Sequence, residues 1–197
     1  MEDPRDPQQE RLAAERALAL SKGEEVAVRC PWQAPWDTGA PLPHVIADGY
    51  RTCLIYRLNE SDPTWDGTSV TVVDPSSSAA HLIALVEFTG CMAIRFGTPN
   101  DEVLHGHPLH GKGLERYAAH LIANSAWLAE LQRINSVHPY YDAARWQRYK
   151  HYLLTFHDDT FECIAATRQT EVLRASFADA LAIATQRLFT GTTEAGH

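Results

Sequence analysis

Residues 152–166, which read YLLTFHDDTFECIAA, decide how this chain folds. Apolar and β-branched residues run through the stretch, and Asp158 and Asp159 interrupt it near the centre. If these two aspartates form a turn, one face of the resulting hairpin is apolar and the other is polar. A single straight strand would scatter both sets over two faces. The pattern therefore predicts an antiparallel hairpin in which His157 lies opposite Thr160.

The polar face of this predicted hairpin carries groups that can transfer protons. His157 and Glu162 share that face, and Asp158 lies beside them in the turn. Imidazoles and carboxylates act as general bases and acids near neutral pH, and both can also bind a metal ion. We therefore take His157, Glu162 and Asp158 as candidate catalytic residues. The alternative is an exposed hairpin tip with ordinary polar side chains.

Upstream of the hairpin, the sequence alternates between strand-like and helix-like segments. Apolar runs predict strands at residues 26–30, 50–58, 69–73, 82–88 and 91–96. Only Thr89 and Gly90 separate the last two runs, which is the spacing of a tight hairpin. Helical periodicity predicts helices at residues 5–21, 114–135, 141–149 and 171–188.

These elements together predict the fold class. Strands followed by helices, without a glycine-rich strand-to-helix turn, indicate an α+β domain with an antiparallel sheet. The sheet would consist of a meander and the C-terminal hairpin, with the helices packed on one face. We expect one globular domain over residues 1–197, with loose tails at 1–4 and 191–197. Trp32 and Trp36, in a proline-rich segment, are expected to pin that loop onto the protein.

A polar segment at residues 97–113, GTPNDEVLHGHPLHGKG, is the second candidate for chemistry, and we call it the histidine loop. Loops of this length are uncommon unless they have a function. On an extended segment the imidazoles of His105 and His107 would point to the same side. With His157 they could bind one divalent metal ion, zinc or iron. The alternative is a glycine-hinged loop with solvent-exposed histidines.

The helix predicted at residues 114–135 carries two polar residues inside its apolar arc. His120 and Asn124 lie one helical turn apart on that arc. Polar groups in such a position must be hydrogen-bonded if they are buried. They would either line a cofactor or ligand pocket, or belong to the core with their polar groups hydrogen-bonded.

Composition excludes several classes of function. The 17 basic and 25 acidic residues give a net charge of -8, which argues against binding to nucleic acid or to an anionic membrane surface. The four cysteines form no Cys-x-x-Cys motif, and the charged, proline-rich N-terminal segment does not resemble a signal peptide. We therefore expect a cytoplasmic protein. The absence of a Gly-x-Ser-x-Gly motif disfavours a serine hydrolase of the α/β class.

The functional hypothesis combines these clusters. The chain is predicted to be a small cytoplasmic enzyme acting on a polar small molecule, with or without a bound divalent metal. Residues 105–110 would lie over a pocket whose floor is the 152–166 hairpin. The alternative is a non-enzymatic regulatory module that binds a metabolite or a partner protein. No pattern in the sequence indicates an oligomeric state.

Overall fold

The computed structural model describes residues 7–60 and 73–190, which form an α+β fold with two antiparallel sheets. Within these residues the helices are α1 (Pro7–Ser21), α2 (Ala126–Asn135), α3 (Ala143–Trp146) and α4 (Phe177–Thr190). The strands are β1 (Val26–Arg29), β2 (His44–Ala47), β3 (Arg51–Arg57), β4 (His81–Thr89), β5 (Ala93–Gly97), β6 (Ala119–Ala123), β7 (Lys150–Thr155), β8 (Thr160–Ala165) and β9 (Thr167–Ala175). The predicted fold class is confirmed. The predicted tails and most of the strand predicted at 69–73 lie outside the described residues.

The chain divides into two compact units, and each is built from two separate segments. The first unit comprises Met1–Pro31 and Ala93–Ala165, and the second comprises Trp32–Met92 and Ala166–His197. Each unit contains one of the two sheets. The expectation of a single domain over residues 1–197 stays a prediction.

The sheet of the first unit contains the predicted hairpin. Its strand order is β1-β6-β7-β8-β5, and all neighbouring strands are antiparallel. Thr155 pairs with Thr160, so the turn has four residues, 156–159, instead of the predicted two. The N–H of Phe156 donates to the carbonyl of Asp159 and closes this turn. The register differs from the prediction by two residues, which leaves every strand residue on its predicted face but places His157 in the turn.

The segment between β5 and β6 contains the histidine loop and lies over one face of this sheet. Leu109 from the loop packs against Ala27, Ile122 and Leu153, which come from three different strands. Gly113 allows the close approach, because its φ is +95° and a Cβ there would lie 2.2 Å from the Ala27 carbonyl oxygen. Leu109 thus contacts β7, one strand of the hairpin, while the pocket expected beneath residues 105–110 stays a prediction.

The helix predicted at residues 114–135 begins only at Ala126. Its first half is an irregular segment followed by β6, whose residues pair with β1 on one side and β7 on the other. Asn124 then takes a left-handed conformation, with φ of 53°, and turns the chain from the strand into α2. The prediction was wrong because a short buried strand is apolar on both faces, a pattern that also fits a helix.

The sheet of the second unit is a meander extended by a late strand. Its order is β2-β3-β4-β9, with α4 packed against β2, β3 and β4. The core between helix and sheet includes Ile55, Leu85, Phe177 and Ala184. The tight hairpin predicted at Thr89–Gly90 does not form, because β4 pairs with β3 and β9 while β5 pairs with β8 in the other sheet.

The helix predicted at residues 171–188 also starts later than expected. Residues up to Ala175 belong to β9, which pairs along its whole length with β4. Ser176 separates strand from helix, and its hydroxyl accepts a hydrogen bond from the N–H of Asp179 (3.1 Å). Serine is a preferred residue at helix N-caps because it satisfies an N–H of the first turn in this way.

The tryptophan-containing loop is pinned within the second unit, as predicted. The indole N–H of Trp32 donates to the Tyr56 hydroxyl (2.7 Å), which donates to the carbonyl of Ala34 (2.8 Å). The guanidinium of Arg168 stacks over the Trp32 ring at 4.1 Å. Trp36 is buried and meets Tyr56 edge to face.

None of the helices in residues 7–60 and 73–190 has both the length and the apolar character needed to cross a bilayer.

Candidate functional site

Three polar side chains form a buried, hydrogen-bonded chain in the first unit. The hydroxyl oxygen of Ser125 lies 2.8 Å from His151 Nδ1, and His151 Nε2 lies 2.8 Å from Glu162 Oε2. Ser125, His151 and Glu162 are 7%, 4% and 9% exposed, respectively. We refer to these three residues as the triad. A serine, a histidine and a carboxylate connected in this order are the components of an activated nucleophile.

The sheet of the first unit and the N-terminus of α2 position the triad. Glu162 on β8 pairs with Leu153 on β7, so Glu162 and His151 lie diagonally on the same face. Ser125 follows the left-handed residue Asn124 at the junction of β6 and α2. It is the N-cap of α2, and its hydroxyl oxygen accepts a hydrogen bond from the N–H of Leu128 (3.0 Å).

The protonation of the triad follows from its electrostatics. Burial raises the pKa of the Glu162 carboxyl, but interactions with His151 and Arg95 outweigh burial and hold its pKa below the ordinary value. An ionised carboxylate can only accept hydrogen bonds, so a neutral His151 carries its proton on Nε2. Its Nδ1 is then the acceptor for the hydroxyl proton of Ser125. In that tautomer the geometry allows the hydroxyl proton to pass to Nδ1.

An aromatic ring and a guanidinium cover the triad. The Trp127 ring packs edge-on against the His151 imidazole, with the ring centroids 5.2 Å apart. The Arg95 guanidinium lies over the Trp127 ring, with its Cζ 4.0 Å from the ring centroid. One of its nitrogens lies 4.0 Å from Glu162 Oε1, which is an ion pair without a short hydrogen bond.

The histidine loop contributes one imidazole to the surroundings of the triad. His107 is half-buried, and burial lowers its pKa. Charges on Glu162, His151 and Arg95 also act on His107, which places it in the same electrostatic environment. Its Nδ1 accepts a hydrogen bond from the N–H of Leu109 (3.1 Å), so a neutral His107 carries its proton on Nε2. Of the predicted residues, His107 and Glu162 thus interact through their charges.

His157 belongs to a different cluster. Its Nδ1 lies 3.1 Å from Asp101 Oδ2 and 3.1 Å from the Tyr117 hydroxyl, which donates to the same carboxylate. These hydrogen bonds lower the pKa of Asp101, and the bond to Asp101 raises the pKa of Tyr117 to about 12. The N–H of Asp101 also donates to the His157 carbonyl (2.9 Å). The cluster fastens the segment between β5 and β6 to the β7–β8 turn.

The other predicted site residues make no hydrogen bond to either cluster among the contacts of the described residues. His105 is exposed and contacts the Glu102 carbonyl, and Asp158 is exposed in the hairpin turn. His120 has no exposed surface, and its Nε2 accepts a hydrogen bond from the N–H of Glu115 (3.2 Å). Asn124 is exposed, and its side chain donates to the Glu24 carbonyl (3.1 Å). These contacts assign His120 to the core and Asn124 to the strand–helix turn.

The predicted metal ligands do not form one group. Within residues 7–60 and 73–190, no three His, Cys, Asp or Glu side chains are close enough together to hold a metal ion. His105, His107 and His157 make the separate contacts described above. The divalent metal stays a prediction from the sequence.

Comparisons with known proteins add no relative. The chain matches no protein-family model, and no curated protein or solved structure is significantly similar to it. The function must therefore be argued from the site alone.

Two of the three triad residues were not predicted. A signal for His151 existed, because the parity of the predicted hairpin already placed His151 on the face of Glu162. Ser125 carried no such signal. It was assigned to the interior of a long helix, and its position next to His151 depends on β6, which the sequence did not reveal.

Proposed function

We propose that the protein is a small enzyme that transfers acyl groups from small esters or related acyl compounds to water, with Ser125 as the nucleophile. The observation that carries this proposal is the continuous chain of two 2.8 Å hydrogen bonds through Ser125, His151 and Glu162. Both imidazole nitrogens are engaged, so His151 reaches a substrate only through the serine. A role as a direct general base is therefore less well supported than nucleophilic catalysis.

In each half-reaction of the proposed mechanism, His151 takes up a proton and then gives it up. The Ser125 oxygen adds to the substrate carbonyl carbon as its proton moves to His151 Nδ1, and the Glu162 carboxylate stabilises the imidazolium. The tetrahedral intermediate collapses, and the leaving group departs with the proton from His151. Water then attacks the acyl-serine as His151 takes up one of its protons. His151 returns this proton to the Ser125 oxygen when the intermediate collapses, which releases the acid and regenerates the hydroxyl.

The start of α2 supports the developing negative charge. The N–H groups of Ala126 and Leu128 are bound to Glu25 Oε1 (2.6 Å) and to the Ser125 hydroxyl oxygen (3.0 Å). The N–H of Trp127, in the same turn, would donate to the oxyanion of the intermediate. The positive end of the helix dipole acts in the same direction.

Burial limits the substrates. Because Ser125 is 7% exposed, we expect a slender acyl group to fit best along a passage to its hydroxyl. Leu109 packs against the same sheet face, so the histidine loop would form one wall of the passage. Both arguments favour a small molecule over a macromolecular substrate.

The first test is covalent labelling with a fluorophosphonate probe, followed by peptide mass spectrometry. We expect one label per chain, on Ser125, because the probe reacts only with activated serines. Ser125→Ala should remove the label, whereas Ser136→Ala, at an exposed serine after the other end of α2, should retain it. His151→Gln should slow labelling by about 10⁴-fold or more, as in other serine triads.

A folded wild-type protein that takes no label on Ser125 would overturn the proposal. The triad would then be a structural cap of α2, since Ser125 already accepts the N–H of Leu128. The remaining hypothesis would be the non-enzymatic module that binds a metabolite or a partner.

A further inference from the structure

The guanidinium of Arg95 is held beside the triad, and within residues 7–60 and 73–190 its closest ionic contact, to Glu162, is 4.0 Å long. Its Cζ lies over the Trp127 ring, 4.0 Å from the ring centroid, in a cation–π contact. Its nearest carboxylate oxygen, Glu162 Oε1, is 4.0 Å away, beyond hydrogen-bond distance. The side chain is 56% exposed, so its donors can be reached from solvent.

Glu162 forms an ion pair with this guanidinium without a short hydrogen bond, since Oε1 and the nearest Arg95 nitrogen are 4.0 Å apart. Its Oε2 accepts the 2.8 Å hydrogen bond from His151, which fixes the orientation of the whole group. Arg95 and Glu162 are directly paired residues on the neighbouring strands β5 and β8, so their side chains lie on the same face of the sheet. The fork of N–H donors is therefore left for another acceptor.

The position of the guanidinium relates it to the reacting serine. The Trp127 ring contacts both the Arg95 guanidinium and the His151 imidazole, with the imidazole centroid 5.2 Å from that of the indole. A chain of a few methylene groups spans the width of one indole ring. A substrate that reacts at Ser125 can thus present its far end to Arg95.

We infer that Arg95 is a specificity-determining residue and that the preferred substrates carry a carboxylate at the far end of their acyl group. This inference rests on the proposed acyl transfer at Ser125. A planar guanidinium matches a carboxylate with two parallel hydrogen bonds. Contact with the Trp127 ring also reduces the side-chain entropy that Arg95 loses when it binds a ligand. Since the protein has a net charge of -8, a local cation is also needed to attract an anionic substrate.

The test compares two esters that differ only in this charge. One is the mono-4-nitrophenyl ester of adipic acid, and the other is the same compound with its free carboxylate methylated. We expect the wild-type protein to hydrolyse the anionic ester with a kcat/KM about tenfold or more above that of the neutral ester. Arg95→Gln should reduce this preference about tenfold, and Arg95→Lys should restore only part of it, because lysine lacks the fork.

A matched control is Arg133→Gln, which removes an exposed arginine from the last turn of α2 and should retain the preference. Equal rates for the two esters in the wild-type protein, or no hydrolysis of either, would overturn the inference. Ser125→Ala separates this failure from that of the proposed function. If Ser125→Ala is inactive while Arg95→Gln leaves the preference unchanged, only the specificity inference fails. If Ser125→Ala hydrolyses both esters like the wild type, the proposed function fails too.

Discussion

Acid should destabilise this protein through His120, whose side chain has no exposed surface. Burial lowers the pKa of His120 to about 4, from an ordinary value of 6.5. In the unfolded chain this imidazole takes up a proton as the pH falls through 6.5, whereas in the folded protein it stays neutral until about pH 4. The unfolded state therefore binds more protons between these two values, and the free energy of unfolding decreases as the pH falls through that window.

The size of the effect follows from the two pKa values. Each unit of pKa difference corresponds to about 1.4 kcal/mol, and most of the window lies between pH 7 and pH 4.5. Linkage over that range predicts a loss of about 2 kcal/mol from His120 alone. This is a large fraction of the stability of an ordinary domain, which is about 5–15 kcal/mol.

The assay is urea denaturation followed by tryptophan fluorescence at several pH values from 7 to 4.5. His120→Gln removes the titrating group but keeps an acceptor for the N–H of Glu115, which lies 3.2 Å from the imidazole. The variant should lose about 2 kcal/mol less stability over the range than the wild type does. His105→Gln, at an exposed histidine, should behave like the wild type.

The contribution of His120 is the difference between the wild type and His120→Gln in the unfolding free energy lost from pH 7 to pH 4.5. The carboxylates of Glu162 and Asp101, whose pKa values are lowered, also lose their stabilising effect in acid, but they are present in both proteins. Identical losses in wild type and His120→Gln would refute the reasoning. They would mean that the buried imidazole is accessible to protons in the folded state.

Two further predictions concern backbone geometry and helix capping. Gly113→Ala should lower the free energy of unfolding by more than about 1 kcal/mol, because φ is +95° and the new Cβ would meet the carbonyl of Ala27. Gly106→Ala, where a Cβ meets nothing, should change the free energy of unfolding much less. Similar thermal midpoints for the two variants would contradict this prediction. Ser176→Ala should lower the free energy of unfolding by about 1 kcal/mol by leaving the N–H of Asp179 without its cap, while Ser176→Thr should recover most of the loss in urea denaturation.

The hairpin shows what the sequence could predict and where it failed. The alternation of apolar and polar residues around Asp158 and Asp159 was enough to predict two paired strands and their faces. The turn was predicted two residues too short because Asp-Asp has no glycine to form a two-residue primed turn. The longer turn moved His157 out of the strand and into contact with Asp101 and Tyr117.

The site was harder to predict than the fold because it depends on pairings between distant parts of the chain. Glu162 and His107 were predicted as site residues from the sequence. Glu162 is hydrogen-bonded to His151, and His107 interacts with it electrostatically. Ser125 could not be found, because a helical and a strand interpretation of the segment before it fit the same apolar pattern. Only the pairing of β6 with β1 and β7 decides between them.

The place of β1 in the first unit has a consequence for how the protein is made. Among the strands in residues 7–60 and 73–190, β1 is an edge strand whose one partner is β6, and the first segment of the second unit is synthesised between them. At ordinary translation rates β1 waits for its partner on the order of ten seconds, with its N–H and C=O groups unpaired. The local hairpin of β7 and β8 has no such delay. Folding of the first unit should therefore start near the C-terminal end of its sequence, with β1 docking late, and the nascent chain is most vulnerable to aggregation before β6 leaves the ribosome.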